Sequence, residues 1–215
     1  MVVSDKSKEG LWLVDKPTGI SSFGVVAQLR RQTGIRKIGH AGTLDPQASG
    51  LMILLVGKQW TKKADQFLKL DKVYEVELKL GEVSSTGDSE GELMLVSEAQ
   101  PSQVEVERVV RSFIGKLEQT PPAHSAIKIG GVRAYKLARA GQSPKLSPRI
   151  VTIHSVTKLA YNYPYVRFTA EVSSGTYIRS LARDIGQTLK VGAYLTALKR
   201  TRIGKYQLAD AITLD

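Results

Sequence analysis

The sequence predicts an α+β fold. Three observations carry the prediction. Two segments alternate polar and apolar residues with period two, several others repeat apolar residues at helical spacing, and the joins between them are turn-rich and irregular. Regular βαβ winding would instead alternate one strand with one helix along the chain.

Each element follows from local chemistry. In "SSFGVVAQLRRQTG", Ser21 or Ser22 can cap a helix, Val25, Val26 and Leu29 share a face, Arg30 and Arg31 fall in the last turn, and Gly34 ends it. "LMILLV", Leu51 to Val56, reads as a buried strand. Lys62 to Leu70 is expected to form a short basic helix. "VYEVELKLG" is a strand with Tyr74, Val76, Leu78 and Leu80 on one face and Glu75, Glu77 and Lys79 on the other. "VSSTGDSEGE" is a turn-rich connection. Beyond Pro101 and Ser102, Val106, Val109, Val110 and Phe113 recur at helical spacing up to Gly115. "PYVRFTAEV" alternates again, with Val166, Phe168, Ala170 and Val172 facing one way. "SSGTYIRSLARDIG" then turns into a helix that buries Ile178, Leu181 and Ile185. No polar linker or internal repeat divides the chain, so a single domain over residues 1–215 is expected. The Gly- and Pro-dense stretch at 120–148 reads as an insertion from it.

Composition narrows the function. The chain has no cysteine, which excludes disulfides and thiolate metal sites and suits the cytoplasm. Its three histidines, His40, His124 and His154, lack zinc-ligand spacing, so no metal is expected. The N-terminus has no apolar signal core, and the longest apolar run is too short to cross a membrane. A net charge of +11 favours a polyanionic partner, because each phosphate met by Lys or Arg releases condensed counterions. Two zones carry cations without any acid: Gln119 to Arg149, with Lys128, Arg133, Lys136, Arg139, Lys145 and Arg149, and Ile185 to Ala209, with Lys190, Lys199, Arg200, Arg202 and Lys205. Either zone alone is an ordinary solvated surface. Two in one chain point to nucleic acid.

Four side chains are candidates for chemistry or RNA contact. Asp45 sits in "GHAGTLDPQASG", just before the apolar strand; Asp before Pro commonly caps a helical turn, but the glycines and the anchoring strand display the acid rather than absorb it. Arg179 lies in the first turn of its helix, where the dipole disfavours a cation by about 0.3–1 kcal/mol, so an anion should be near. The partner is Asp184 or solvent on the plain reading, and Asp45 or a phosphate on the functional one. Tyr74 has the parity of the core, yet at the strand's start its ring can also offer a stacking surface to a displaced base. His40 is a loop residue making one hydrogen bond, or a ring that stacks on RNA.

The segments "LWLVDKPTGISSF", "GHAGTLDPQASGLMILLVGKQWTK", "DKVYEVELKLG", "GDSEGE", "FIGKLEQTPPAHSAIKIGGVRAYKLARAG", "SSGTYIRSLARDIG" and "GAYLTALKRTRIGKYQL" together resemble the TruB family of tRNA pseudouridine synthases, in family order and across nearly the whole chain. The resemblance implies a mixed, mainly antiparallel sheet with flanking helices, no cofactor and no metal. It also implies isomerisation of uridine 55 in the T loop of tRNA after base flipping. Asp45 matches the catalytic nucleophile, Tyr74 the tyrosine that stacks on the flipped base and takes part in proton transfer, and Arg179 the arginine paired with the acid. Tyr177 and Leu198 match residues of the pocket, and His40 and Lys16 match loop positions near the RNA. Lys62, Lys128 and Arg133 are further expected RNA contacts, the last two on the insertion that closes over the tRNA T arm.

Two departures stand out. His124 in "PPAHSAIK" replaces a family aromatic, so packing under the insertion is expected to differ. The chain also stops near where the family's catalytic domain ends, so no C-terminal PUA domain is expected in it, and tRNA affinity should rest on this domain. A monomer without an obligate protein partner is expected. The rival reading is a non-catalytic RNA-binding or tRNA-folding module on the same basic surface, with Asp45 a structural cap and Arg179 a phosphate contact. A metal-dependent nuclease is disfavoured because Asp45 has no neighbouring carboxylate in sequence to share a divalent ion.

Overall fold

A computed structural model describes residues 9–125, 127–142, 144 and 146–214, with Arg139 described by its backbone only. Lys145 of the basic stretch lies outside the described residues. In chain order the elements are β1 (Gly10–Lys16), α1 (Ser22–Thr33), β2 (Ile38–His40), β3 (Ser49–Val56), α2 (Lys58–Thr61), α3 (Ala64–Leu68), β4 (Lys72–Leu80), β5 (Glu82–Ser84), β6 (Leu93–Leu95), α4 (Gln103–Ser112) and β7 (Gly115–Gln119). They continue with β8 (Lys128–Ile129), β9 (Val132–Arg133), α5 (Ala134–Arg139), β10 (Arg149–Asn162), β11 (Tyr165–Val172), α6 (Ile178–Thr188), β12 (Ala193–Ile203) and β13 (Tyr206–Gln207). The main sheet is mixed and runs β1-β3-β12-β4-β11-β10-β7, while β5-β6 and β8-β9 are separate hairpins. Helices accompany it without βαβ regularity, so the α+β class and the mixed sheet with flanking helices hold.

The chain divides into two compact units: residues 1–75, 171–174 and 197–215, and residues 76–170 and 175–196. In the first, β3 is the centre. One edge pairs antiparallel with β1 along its length, from Gly10 opposite Val56 to Lys16 opposite Gly50. The other edge takes β2 antiparallel at Leu54 to Val56 and β12 parallel at Ser49 and Gly50. Filled edges and two covered faces explain why "LMILLV" has no polar residue. Leu11, Leu13, Leu51, Ile53, Leu55, Phe67 and Ile203 form the core on one side. α1 starts at Ser21, whose hydroxyl accepts from the Gly24 amide, and stops at Gly34 in the left-handed region. Within Lys62 to Leu70 the helix is a short one, α3, which buries only Phe67; α2 is a separate turn just before it.

In the second unit, β7 pairs antiparallel with β10, from Arg149 opposite Gln119 to Ile153 opposite Gly115. α4 carries a capping box, with Ser102 and Glu105 each bonding the other's backbone amide, and buries Val106, Val109 and Val110. α6 buries Ile178, Leu181 and Ile185 as its spacing predicts. Its Gly186 lies against Gly192 and Ala193 so closely that an added Cβ would sit 2.2 Å from the Ala193 amide nitrogen. The turn-rich connection after β4 contains the β5-β6 hairpin, too short and too rich in turn residues to show in the sequence.

Candidate active site

In the first unit, Asp45 stands on the loop between β2 and β3, half-buried, and begins a turn in which the Ala48 amide donates to its carbonyl. No described helix starts there, so Asp45 is not a helix cap. The loop has no regular structure, yet buried polar side chains fix its backbone. Lys16 is fully buried, and its ammonium donates to the carbonyls of Pro17 (2.8 Å), Ile20 (2.7 Å) and Pro46 (3.0 Å). The Ser22 hydroxyl both donates to the Leu44 carbonyl and accepts from the Leu44 amide, at 2.8 Å each. Arg200, 1% exposed, donates from Nε to Leu51 O (2.7 Å) and from Nη2 to Gly42 O (3.1 Å). Residues on both sides of Asp45 are thereby held.

Burial corrects one expectation. Lys16, expected to face RNA, has no exposed surface here, and its ammonium is bonded to the backbone, including Pro46 of the acid-bearing loop. Ser22 and Arg200 were not singled out in the sequence. Ser22 reads there as a helix cap and Arg200 as part of a basic zone, because nothing local reveals a contact 22 or 158 residues away.

Tyr74 is buried on the inner face of β4, in step with Val76, Leu78 and Leu80. Two residues before it, on the same face, Lys72 donates from Nζ to the carbonyls of Leu68 and Leu70 and so caps the end of α3. Burial, with Arg200 nearby, lowers the Lys72 pKa to about 8. Leu198 is half-buried on β12, His40 is half-buried at the end of β2, and Lys62 is exposed between α2 and α3.

In the second unit, Arg179 is 7% exposed at the start of α6. Nη1 donates to Thr86 O (2.9 Å) and lies 3.5 Å from the Asp88 carboxylate, and Nη2 donates to His124 O (2.8 Å). The anion required beside a first-turn cation includes Asp88. Asp184, the plain candidate, pairs instead with Arg183 at 2.8 Å. Asp88 belongs to "GDSEGE" and shows no sign in the sequence of facing Arg179. His124 offers its backbone carbonyl, so the unusual side chain leaves this contact unaffected.

Gln119 is a second residue that the sequence did not mark. Buried to 1% exposure, it accepts from the Tyr177 amide (2.8 Å) and donates to the Tyr177 carbonyl (3.1 Å), fixing the peptide that opens α6. Tyr177 is half-buried at that N-cap position. A pocket beside Arg179 is lined by Ser84, Thr86, His124, Ser180 and Arg183. Lys128 and Arg133 are exposed on the β8-β9 hairpin. Among the described residues, no group of three His, Cys, Asp or Glu is placed to hold a metal ion, and no helix is long and apolar enough to cross a membrane.

Comparison with known proteins covers the whole of this framework. Residues 30–178 match the TruB family pseudouridylate synthase N-terminal domain, and residues 179–215 match the tRNA pseudouridylate synthase B C-terminal domain. The chain is 44% identical to tRNA pseudouridine synthase B of Opitutus terrae over 217 residues, covering 100% of this chain and 89% of the relative. It is 45% identical to the same-named protein of Protochlamydia amoebophila, covering 95% of this chain and 78% of the relative. A solved Cbf5-Nop10-Gar1 complex contains a chain that superposes with a TM-score of 0.74 at 28% identity; 97% of this chain is matched, and it spans 53% of that one. An H/ACA RNP bound to a substrate RNA containing 2'-deoxyuridine gives a TM-score of 0.72 at 26% identity, with 52% of its chain covered. The sequence blocks, the mixed sheet and the matches over both family models lead to one conclusion: this chain belongs to the TruB family of pseudouridylate synthases, and so to the isomerases.

Proposed function

We propose that the chain, working in the cytoplasm with its two units as one catalytic domain, isomerises uridine 55 in the T loop of tRNA. The observation that carries the reading is the fixing of the Asp45 loop by Lys16, Ser22 and Arg200. Three buried polar side chains serve a loop that caps no helix and belongs to no strand. A nucleophile needs such fixing, and a surface turn does not. The names of the relatives support tRNA as the substrate.

In the reaction proposed, the target base leaves the loop stack, a cost of a few kcal/mol offset by phosphate contacts and by stacking on Tyr74. Tyr177 and Leu198 flank the extruded base. The Asp45 carboxylate attacks the nucleoside and holds it covalently while the bond between N1 and C1' breaks. The base turns, C5 bonds to C1', the bond to Asp45 breaks and frees the carboxylate, C5 gives up its proton and N1 gains one. No electrons are exchanged with a cofactor, and the product is an isomer. Arg179 keeps Asp45 ionised and oriented. His40, Lys62, Lys128 and Arg133 hold the RNA.

The test uses a T-arm hairpin tritiated at C5 of the target uridine, mixed with the parent protein and with Asp45→Asn. Tritium is expected in the water with the parent and not with the variant, while both bind the hairpin equally. Retention of tritium by the parent, with binding intact, would overturn the catalytic reading in favour of the passive RNA-folding module.

A further inference from the structure

Residues 16–44 contain no Asp or Glu, and their cations are not spent on each other's elements in the same way. Lys16 is buried under the Asp45 loop, and Arg30 donates from Nη2 to the Ile38 carbonyl (3.1 Å). That bond ties the last turn of α1 to the first residue of β2. The short connection carrying Arg36 and Lys37 is thereby held beside the helix end that carries Arg31. Arg31, Arg36 and Lys37 are all exposed, and none has an ion pair among the described residues. The negative pole of α1 accounts for a cation at Arg31 but not for Arg36 and Lys37, which lie past the Gly34 cap. On the outer side of the same helix the Phe23 ring is 66% exposed, with the Arg30 guanidinium 5.7 Å from its centroid. Exposed cations gathered at one corner, with no acid in the segment, are the make-up of a surface that meets a nucleic-acid backbone.

We infer that the α1-β2 corner, through Arg31, Arg36 and Lys37, binds backbone phosphates of a tRNA segment outside the T arm. The inference rests on the proposed tRNA substrate and extends its contacts to the end of α1 opposite Ser22, the residue that holds the Asp45 loop. Arginines favour phosphate by presenting a planar fork of donors. A protein partner for the same corner would have to supply acids and would not depend on RNA.

The experiment compares the parent with a triple variant, Arg31→Glu, Arg36→Glu and Lys37→Glu. It measures binding of full-length tRNA and of the isolated T-arm hairpin across a salt series. The expected result is a loss of tRNA affinity of about tenfold or more at roughly 0.1 M salt, with the slope of log Kd against log salt shallower by about 3. Turnover of the hairpin should stay within about twofold of the parent. A milder variant, Arg36→Ala with Lys37→Ala, should lower the slope by about 2 and guards against any folding defect in the reversal. Unchanged tRNA affinity and slope in both variants would overturn the inference. So would an equal loss on the isolated hairpin, which would assign these cations to the T arm itself. Asp45→Asn separates the two proposals: it should lose product while keeping the parent's salt slope on tRNA.

Discussion

An ammonium or guanidinium buried away from water is tolerated only where enough acceptors surround it, and in the first unit those acceptors are the carbonyls that shape the Asp45 loop. Lys16→Met should therefore leave three carbonyls without their charged donor, lowering stability by about 2–4 kcal/mol. Its kcat should fall more than its KM rises, because the loop positions the reacting group and does not touch distant RNA. Urea unfolding and steady-state kinetics on tRNA check both. Arg179→Lys should be as costly to kcat, by about 100-fold, since one ammonium cannot serve Thr86, Asp88 and His124 in the fork geometry that the guanidinium uses. A single-turnover measurement reads that loss apart from binding. The sequence offers Asp45 and Arg179 as candidates, the first from its glycine-rich setting before a buried strand and the second from a cation placed against a helix dipole. Asp88 and Gln119 were not, because a carboxylate in a turn and a glutamine at a strand end look ordinary until the fold brings Arg179 and Tyr177 to them.

At the scale of elements, the closest approach in the first unit is where β3 meets β12. Gly50 has φ +100°, and an added Cβ would fall 2.3 Å from the Arg200 carbonyl oxygen. Gly50→Ala should force β12 away from β3, release the Arg200 hold on Gly42 and Leu51, and lower stability by more than about 3 kcal/mol. A drop in the thermal midpoint with loss of activity is the expected outcome; a variant as stable and active as the parent would contradict the close packing. Period-two alternation made β4 and β11 legible, and helical spacing made α1, α4 and α6 legible, with capping residues to mark the ends of α1. β1, β7 and β10 went unread. Their sequences lack clean alternation, and they are held as strands by their neighbours, as β1 is by its full-length ladder with β3.

For the molecule as a whole, charge governs both partner and pH response. More than half of the acidic residues lie between positions 71 and 118, which leaves the rest of the chain strongly basic. Affinity for tRNA should consequently fall steeply with salt, and a flat dependence would argue against phosphate contacts as its source. Lys72 makes folding itself depend on pH. Its folded pKa, lowered to about 8 by burial and then by Arg200, lies below the ordinary lysine value of 10.5, so between these values the unfolded chain binds a proton that the native state does not. That contribution to stability is lost as pH falls through about 8 and gained as pH rises toward 10.5. The unfolding free energy of the parent relative to Lys72→Met should grow by roughly 2 kcal/mol from pH 7 to pH 10, read by urea titration at each pH. A difference that is constant with pH would mean that the ammonium is not desolvated.

By itself, the sequence determined the α+β class, three helices, two alternating strands and a net charge of +11, because propensity, periodicity and charge are local or additive properties. Tertiary structure alone decided that Lys16 is buried against the backbone at Pro46, that Ser22 and Arg200 steady the acid's loop, and that Asp88 and Gln119 attend Arg179 and Tyr177. Those roles depend on which buried donor meets which acceptor across tens of residues of chain. Such pairings arise only when burial removes water as the competing partner.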